Sequence, residues 1–158
     1  MKICGRKNLY IATDNNKITK VVNKENYNVI MTSSKCLTGT DRVAEASKKI
    51  KSNIYINVQG DEPTINPSDI KKIIQAKIKY PNHVICGYDK IHKSENPSNI
   101  NLPKVVVNNK QELIYISRSV LPGSKKLVKN HEYLKQVCIY TFNKKELAKF
   151  YSKKKNYN

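Results

Sequence analysis

Apolar and polar positions in this chain fall into short blocks whose period switches repeatedly between that of a strand and that of a helix. Leu9 to Thr13 is a compact apolar run that predicts a buried strand, and Asp14-Asn15-Asn16 supplies a helix cap after it. Ile18, Val21 and Val22 give the next helix one apolar face through about Asn23, and Asn28 to Thr32 predicts a second strand. Strand, helix and strand at such close range predict a βαβ unit, hence parallel pairing with a right-handed crossover. Thr32 to Arg42 reads as a loop that opens a helix over Val43 to Ile50, and Ile54 to Val58 as another buried strand. Asn66 caps and Pro67 starts a helix whose Ile70, Ile73, Ile74 and Ile78 recur at helical spacing until Pro81 stops it. His83 to Tyr88 predicts a strand, Lys90 to Asn101 a surface loop, and Lys104 to Val107 with Leu113 to Ile116 an antiparallel hairpin. A basic stretch, Ser124 to Asn130, leads to a last strand, Lys135 to Phe142, and Asn143 with Glu146 forms the capping box of a helix over Lys144 to Tyr151. Four strands alternating with helices, then an antiparallel element, predict an α/β protein: a Rossmann-like three-layer sandwich with a mixed, mainly parallel sheet. The 158 residues fit a single domain spanning 1–158.

The chemistry concentrates where the third predicted strand ends, in Asn57-Val58-Gln59-Gly60-Asp61-Glu62-Pro63. In open α/β sheets ligands bind at the carboxyl ends of strands, where Gln59, Asp61 and Glu62 stand. A carboxylate there suits a hard cation such as magnesium, which in turn binds nucleotide phosphates. A tight turn capped by the Asp61 side chain accounts for the same residues without a ligand. The second candidate lies before the preceding helix, in Thr38-Gly39-Thr40-Asp41-Arg42. Thr38 or Thr40 can cap that helix and Asp41 suits its dipole. Arg42 opposes the dipole, which calls for a compensating carboxylate or a ligand acceptor. Arg118, at the end of the hairpin's second arm before Pro122-Gly123, is a natural anion contact.

Composition narrows the function classes. Hydrophobic residues make up 39% of the chain, no apolar run can span a bilayer, and the N-terminus lacks the apolar core of a signal peptide, which suggests the cytoplasm and no membrane partner. Cys4, Cys36, Cys86 and Cys138 lie far apart without metal-ligand spacing, so free thiols are expected, and the three histidines show no such spacing either. A net charge of +18 raises a polyanionic partner such as nucleic acid. Of the 30 basic residues, however, only Arg6, Arg42 and Arg118 are arginine, and the lysines are spread over every segment beside abundant asparagine and isoleucine. That is the mark of an AT-rich genome more than of one basic face, so a nucleic-acid-binding module is the less favoured reading.

Taken in order, Ile11-Ala12-Thr13-Asp14, Thr38-Gly39-Thr40-Asp41-Arg42, Asn57 to Pro63, Pro97 to Val107, Tyr115-Ile116-Ser117-Arg118 with Leu121-Pro122, and Ile139-Tyr140 resemble the 3-deoxy-manno-octulosonate cytidylyltransferases, a family with the nucleotide-diphospho-sugar transferase fold. The resemblance runs from about Leu9 to Tyr151. It implies a magnesium-dependent enzyme of lipopolysaccharide or capsule synthesis. In that reaction the anomeric hydroxyl of the acid sugar KDO attacks the α-phosphate of CTP, giving CMP-KDO and pyrophosphate. By the same resemblance Asp61 is the magnesium ligand, with Gln59 beside it in the catalytic and nucleotide site. Gly39, Thr40 and Arg42 hold the nucleotide, Arg118, Gln136 and Tyr140 line the sugar site, and a homodimer is expected.

The chain also departs from the family's pattern. The opening strand with its P-A-R-x-x-S-x-R-x-P-G-K-P loop has no counterpart, and neither does the later D-T-P-E-D segment with its second magnesium carboxylate. Cys36 and Gln136 stand where histidines are usual. Since the resemblance makes the opening strand a central one, its neighbours are expected to have unpaired edges. A truncated or split family member is therefore expected, with a catalytically inactive remnant or interaction protein as the alternative.

Overall fold

The computed structural model describes residues 4–123 and 132–153. The basic stretch expected over Ser124 to Asn130, and the chain beyond Lys153, lie outside the described residues. Within the chain two compact units separate, the first formed by Met1–Ile85 with Ile139–Asn158 and the second by Cys86–Cys138.

The first unit opens with a single 3-10 turn and then β1 (Tyr10–Thr13), α1 (Asn16–Lys24) and β2 (Asn28–Met31). β1 and β2 pair in parallel, Tyr10 opposite Asn28 through Thr13 opposite Met31, as the βαβ reading requires. Within the expected Asp14-Asn15-Asn16 stretch it is Asn15 that caps α1, its side chain accepting from Lys17 N at 2.8 Å. The expected apolar face of α1 is only partly used, because Val22 is half-buried while Ile18 and Val21 are exposed. Next come α2 (Gly39–Ala46), β3 (Tyr55–Val58) and α3 (Pro67–Lys79). Thr38 and Asp41 form a reciprocal capping box, which starts α2 four residues ahead of the expected Val43. On α3 the inward face carries Ile73 and, instead of Ile78, Lys77. Lys77 lies seven residues after Ile70 and so falls on the same side of the helix. Its ammonium is satisfied there by Glu146 at 2.7 Å and the His83 carbonyl at 2.6 Å.

The second unit holds β4 (Ile85–Lys90), β5 (Lys104–Val107) and β6 (Leu113–Ser117). β4 lies two residues later than expected. β5 and β6 form the predicted antiparallel hairpin, Lys104 opposite Ser117 and Val105 opposite Ile116. The long strand β7 (Leu134–Phe142) serves both units. Its start pairs with β5, Lys135 opposite Lys104, and its end pairs antiparallel with β3, Ile139 opposite Val58 and Phe142 opposite Tyr55. α4 (Lys144–Ser152) follows, capped by Asn143 and Glu146 as the sequence predicts.

The result is a Rossmann-like α/β fold with mixed pairing. β1 and β2 form a sheet of their own, separate from a five-stranded sheet ordered β3, β7, β5, β6 in which β4 also pairs with β7, and the parallel share is accordingly smaller than the pattern suggested. A core of Ala44, Tyr55, Phe142 and Leu147, with Val43 and Tyr140 against it, anchors α2 and α4 to the β3–β7 pair. That core fixes where β3 ends and where α2 begins.

Candidate active site

In the first unit the site is built where β3 stops. Tyr55 and Asn57 are buried, Val58 is exposed, and the chain then turns, the Glu62 N–H donating to the Gln59 carbonyl at 3.1 Å. Alternation along a strand puts Tyr55, Asn57 and Gln59 on one face. That face meets α2. A Cβ placed on Gly39 would stand 3.1 Å from the Gln59 amide nitrogen, so any side chain there would have to shift the end of Gln59 by a few tenths of an ångström. The Gly39 and Thr40 N–H groups open α2, where no preceding turn supplies them a carbonyl. Gly39 and Gln59 are thus brought together, with Thr40 next to Gly39 in the chain.

Asp61 follows in the turn. It is exposed, and among the described residues its side chain makes no hydrogen bond or ion pair. The turn is therefore not held by an Asp61 cap, and the carboxylate is available to a ligand. Magnesium is commonly held by one or two carboxylates together with substrate phosphates, and an exposed, uncommitted Asp61 fits that requirement. No group of three or more His, Cys, Asp or Glu residues gathers for a metal among the described residues.

Arg42 finds the compensating carboxylate that its place in the helix demands. It donates to Asp14 at 3.1 Å and to the Thr32 hydroxyl at 2.6 Å, tying the ends of β1 and β2 to α2. Sequence reading missed Asp14 in this role because a strand-end aspartate before a helix reads as a cap, a position Asn15 occupies instead. Glu45 was missed too. It accepts from Ser33 N at 2.9 Å and from the Cys36 thiol at 3.3 Å, so it holds the loop leading to α2. Burial first, then the hydrogen bond to Glu45 and its charge, raises the Cys36 pKa and keeps it a thiol. None of Cys4, Cys36, Cys86 and Cys138 is in a disulfide. Asn57 is a third omission. Its amide nitrogen is buried without a partner among the described residues, on the Gln59 face, and a polar residue at an inward strand position was the available signal.

The expected sugar-site residues lie in two places. Tyr140, on β7, is opposite Asn57 in the ladder and stacks on Phe142 with ring centroids 6.3 Å apart. Arg118 and Gln136 belong to the second unit. Arg118 donates to the Ile100 carbonyl at 2.8 Å, and the Gln136 N–H to the Pro103 carbonyl at 2.9 Å. Lys104, fully buried, donates to the Asn99 carbonyl at 2.9 Å. Burial, and then the Arg118 charge, lowers its pKa.

A family model described as cytidylyltransferase matches residues 3–157. The 3-deoxy-manno-octulosonate cytidylyltransferase of Escherichia coli is 33% identical over 153 residues, covering 95% of this chain and 61% of that protein. The enzyme of the same name from Rickettsia canadensis is 38% identical over 149 residues, covering 90% and 58%. Among solved structures, a CMP:2-keto-3-deoxy-manno-octonic acid synthetase complexed with CTP superposes with a TM-score of 0.82 at 32% identity, covering 93% of this chain and 61% of that one. This chain spans about three-fifths of the length of these relatives. Among the described residues no helix is long and apolar enough to cross a membrane. With the family model matching almost end to end and relatives of that name above 30% identity, the chain belongs to the cytidylyltransferase family.

Proposed function

We propose that this chain carries the nucleotide site of a 3-deoxy-manno-octulosonate cytidylyltransferase, transferring CMP from CTP to KDO. In the transfer an anomeric C–O–P bond forms at the α-phosphorus as the bond to the leaving pyrophosphate breaks. The observation that carries the reading is the meeting of Gly39 with Gln59 at the end of β3, one short turn before the uncommitted Asp61. Support comes from the relatives of that name and from the CTP in the solved relative.

The chain's own residues need only bind and orient, because phosphoryl chemistry of this kind takes no protein nucleophile. The opening amides of α2 at Gly39 and Thr40 suit the nucleotide's polar groups, and Arg42, fixed by Asp14, holds that helix start in place. Gln59 offers both an amide donor and an acceptor. Asp61 would hold magnesium, which when bound neutralises charge on the phosphates. Arg118 is assigned to the acid sugar's carboxylate, with Gln136 and Tyr140 to its hydroxyls. A homodimer and a cytoplasmic location belong to the same proposal.

The test is pyrophosphate release from CTP and KDO with magnesium. Release by the folded chain that falls at least ~100-fold in Asp61→Asn supports the reading. Release insensitive to Asp61, or none from a chain with a folded circular dichroism spectrum, overturns it.

A further inference from the structure

In the second unit the turn Asn99 to Leu102 leads into β5, and Ile100 within it is 67% exposed, so that side chain does not anchor the turn. Two cations do. The Lys104 ammonium donates to the Asn99 carbonyl at 2.9 Å, and Arg118 Nη1 donates to the Ile100 carbonyl at 2.8 Å. The Leu102 N–H also reaches the Asn99 carbonyl, at 3.1 Å, and Asn99 Oδ1 accepts from the Asn101 N–H at 2.9 Å. Both peptide planes beside Ile100 are therefore pinned, the first by Lys104 and the Leu102 N–H, the second by Arg118 and the Asn99 side chain.

The Ile100 carbonyl in turn orients Arg118. It takes an Nη1 hydrogen, and among the described residues the edge formed by Nε and Nη2 has no hydrogen-bond partner. A guanidinium can turn such an edge to a carboxylate in a two-point hydrogen bond. Arg118 is exposed and within reach of a ligand, whereas Lys104 is fully buried and cannot touch one. Across the ladder Lys104 faces Lys135, which is compensated by the Glu95 carboxylate at 2.5 and 2.6 Å. Lys104 has no carboxylate against it among the described residues. Burying a cation on those terms costs stability, so packing alone does not account for it.

We propose that Lys104 is a positioning residue: by holding the Asn99 carbonyl it fixes the Ile100 carbonyl, and that carbonyl presents Arg118 to a carboxylate. The inference rests on the reading that Arg118 takes the carboxylate of the acid sugar. Lys104 then governs the preference for an acid over a neutral sugar without touching either.

The experiment titrates the whole chain with KDO and with the carboxamide of KDO, binding being read by calorimetry without turnover. Wild type is expected to prefer the acid by about 100-fold, since a site built for a carboxylate leaves its donors badly matched by an amide. Lys104→Met, confirmed folded by circular dichroism, should lower that preference about tenfold or more, because a small displacement of a recognising group is enough. Asn99→Ala, at an exposed position where folding is not at stake, should lower it about threefold or more. Lys90→Met, which removes a surface cation of the same unit, should leave it unchanged. The proposal is overturned by a folded Lys104→Met or an Asn99→Ala that keeps the wild-type preference, or by a loss of the same size in Lys90→Met. No acid preference in wild type, together with pyrophosphate release that depends on Asp61, overturns the role of Lys104 while the proposed activity stands. An acid preference that behaves as expected in a chain without release upholds the role of Lys104 while the activity falls.

Discussion

Among the described residues two lysines are buried, one in each unit, and they are held in opposite ways. Lys77 on α3 is 2% exposed and its ammonium meets the Glu146 carboxylate at 2.7 and 2.8 Å as well as the His83 carbonyl. Lys104 on β5 is fully buried, and among the described residues its hydrogen-bond partner is the Asn99 carbonyl, with the Arg118 cation as its electrostatic neighbour. The first is a completed ion pair that pins α3 to the capping box of α4. The second is a cation held near another cation, with no carboxylate against it among the described residues. Burial of charge is thus structural where a carboxylate comes with it, and a candidate for function where none does.

The sharpest way to break this contrast is to remove each cation in turn. Lys77→Met strands the Glu146 carboxylate, and a loss of about 3 kcal/mol or more is expected in chemical denaturation. Lys104→Met should behave differently. It gives up one hydrogen bond, worth about 1 kcal/mol, and relieves an uncompensated buried charge, so the midpoint should stay or rise. Equal losses in the two variants would erase the distinction.

Titration sharpens it further. The unfolded chain keeps the Lys104 proton up to the usual value of 10.5, whereas the folded chain releases it earlier. The unfolded state then binds more protons between the two values, and stability gained through Lys104 rises with pH across that window. Wild type minus Lys104→Met, followed by denaturation at several alkaline pH values, should show the rise. The smallest effect is at the acid end. The Lys135 hydrogen bond, then that from the His92 N–H, lowers the Glu95 pKa below its usual 4.5. Its contribution is complete above that value and is lost as pH falls through the lowered one. Since both side chains are about a quarter exposed, Glu95→Gln should flatten the acid limb by no more than about 1 kcal/mol.

Much of this protein was legible in its sequence. Local signals, namely caps, periodicity and turn residues, placed every strand and α-helix to within about four positions, though not the opening 3-10 turn, and the ordered motifs around Gly39, Gln59 and Asp61 marked the candidate site. What misled was the use of hydrophobicity as a proxy for burial. Ile78 on α3 is exposed, and Lys77, one position away, is inside because Glu146 reaches it from a helix 69 residues later in the chain.

The sequence by itself determined the family, the order of strands and helices, and the residue types gathered at the end of β3, since all of these depend on neighbours within a few positions. Only the tertiary structure decided that Arg42 is met by Asp14, that the Asn57 amide has no partner among the described residues, and that β1 and β3 border one groove. Each of these depends on contacts between residues distant in the chain, and no local pattern of side chains encodes which distant backbone edge or charge will arrive.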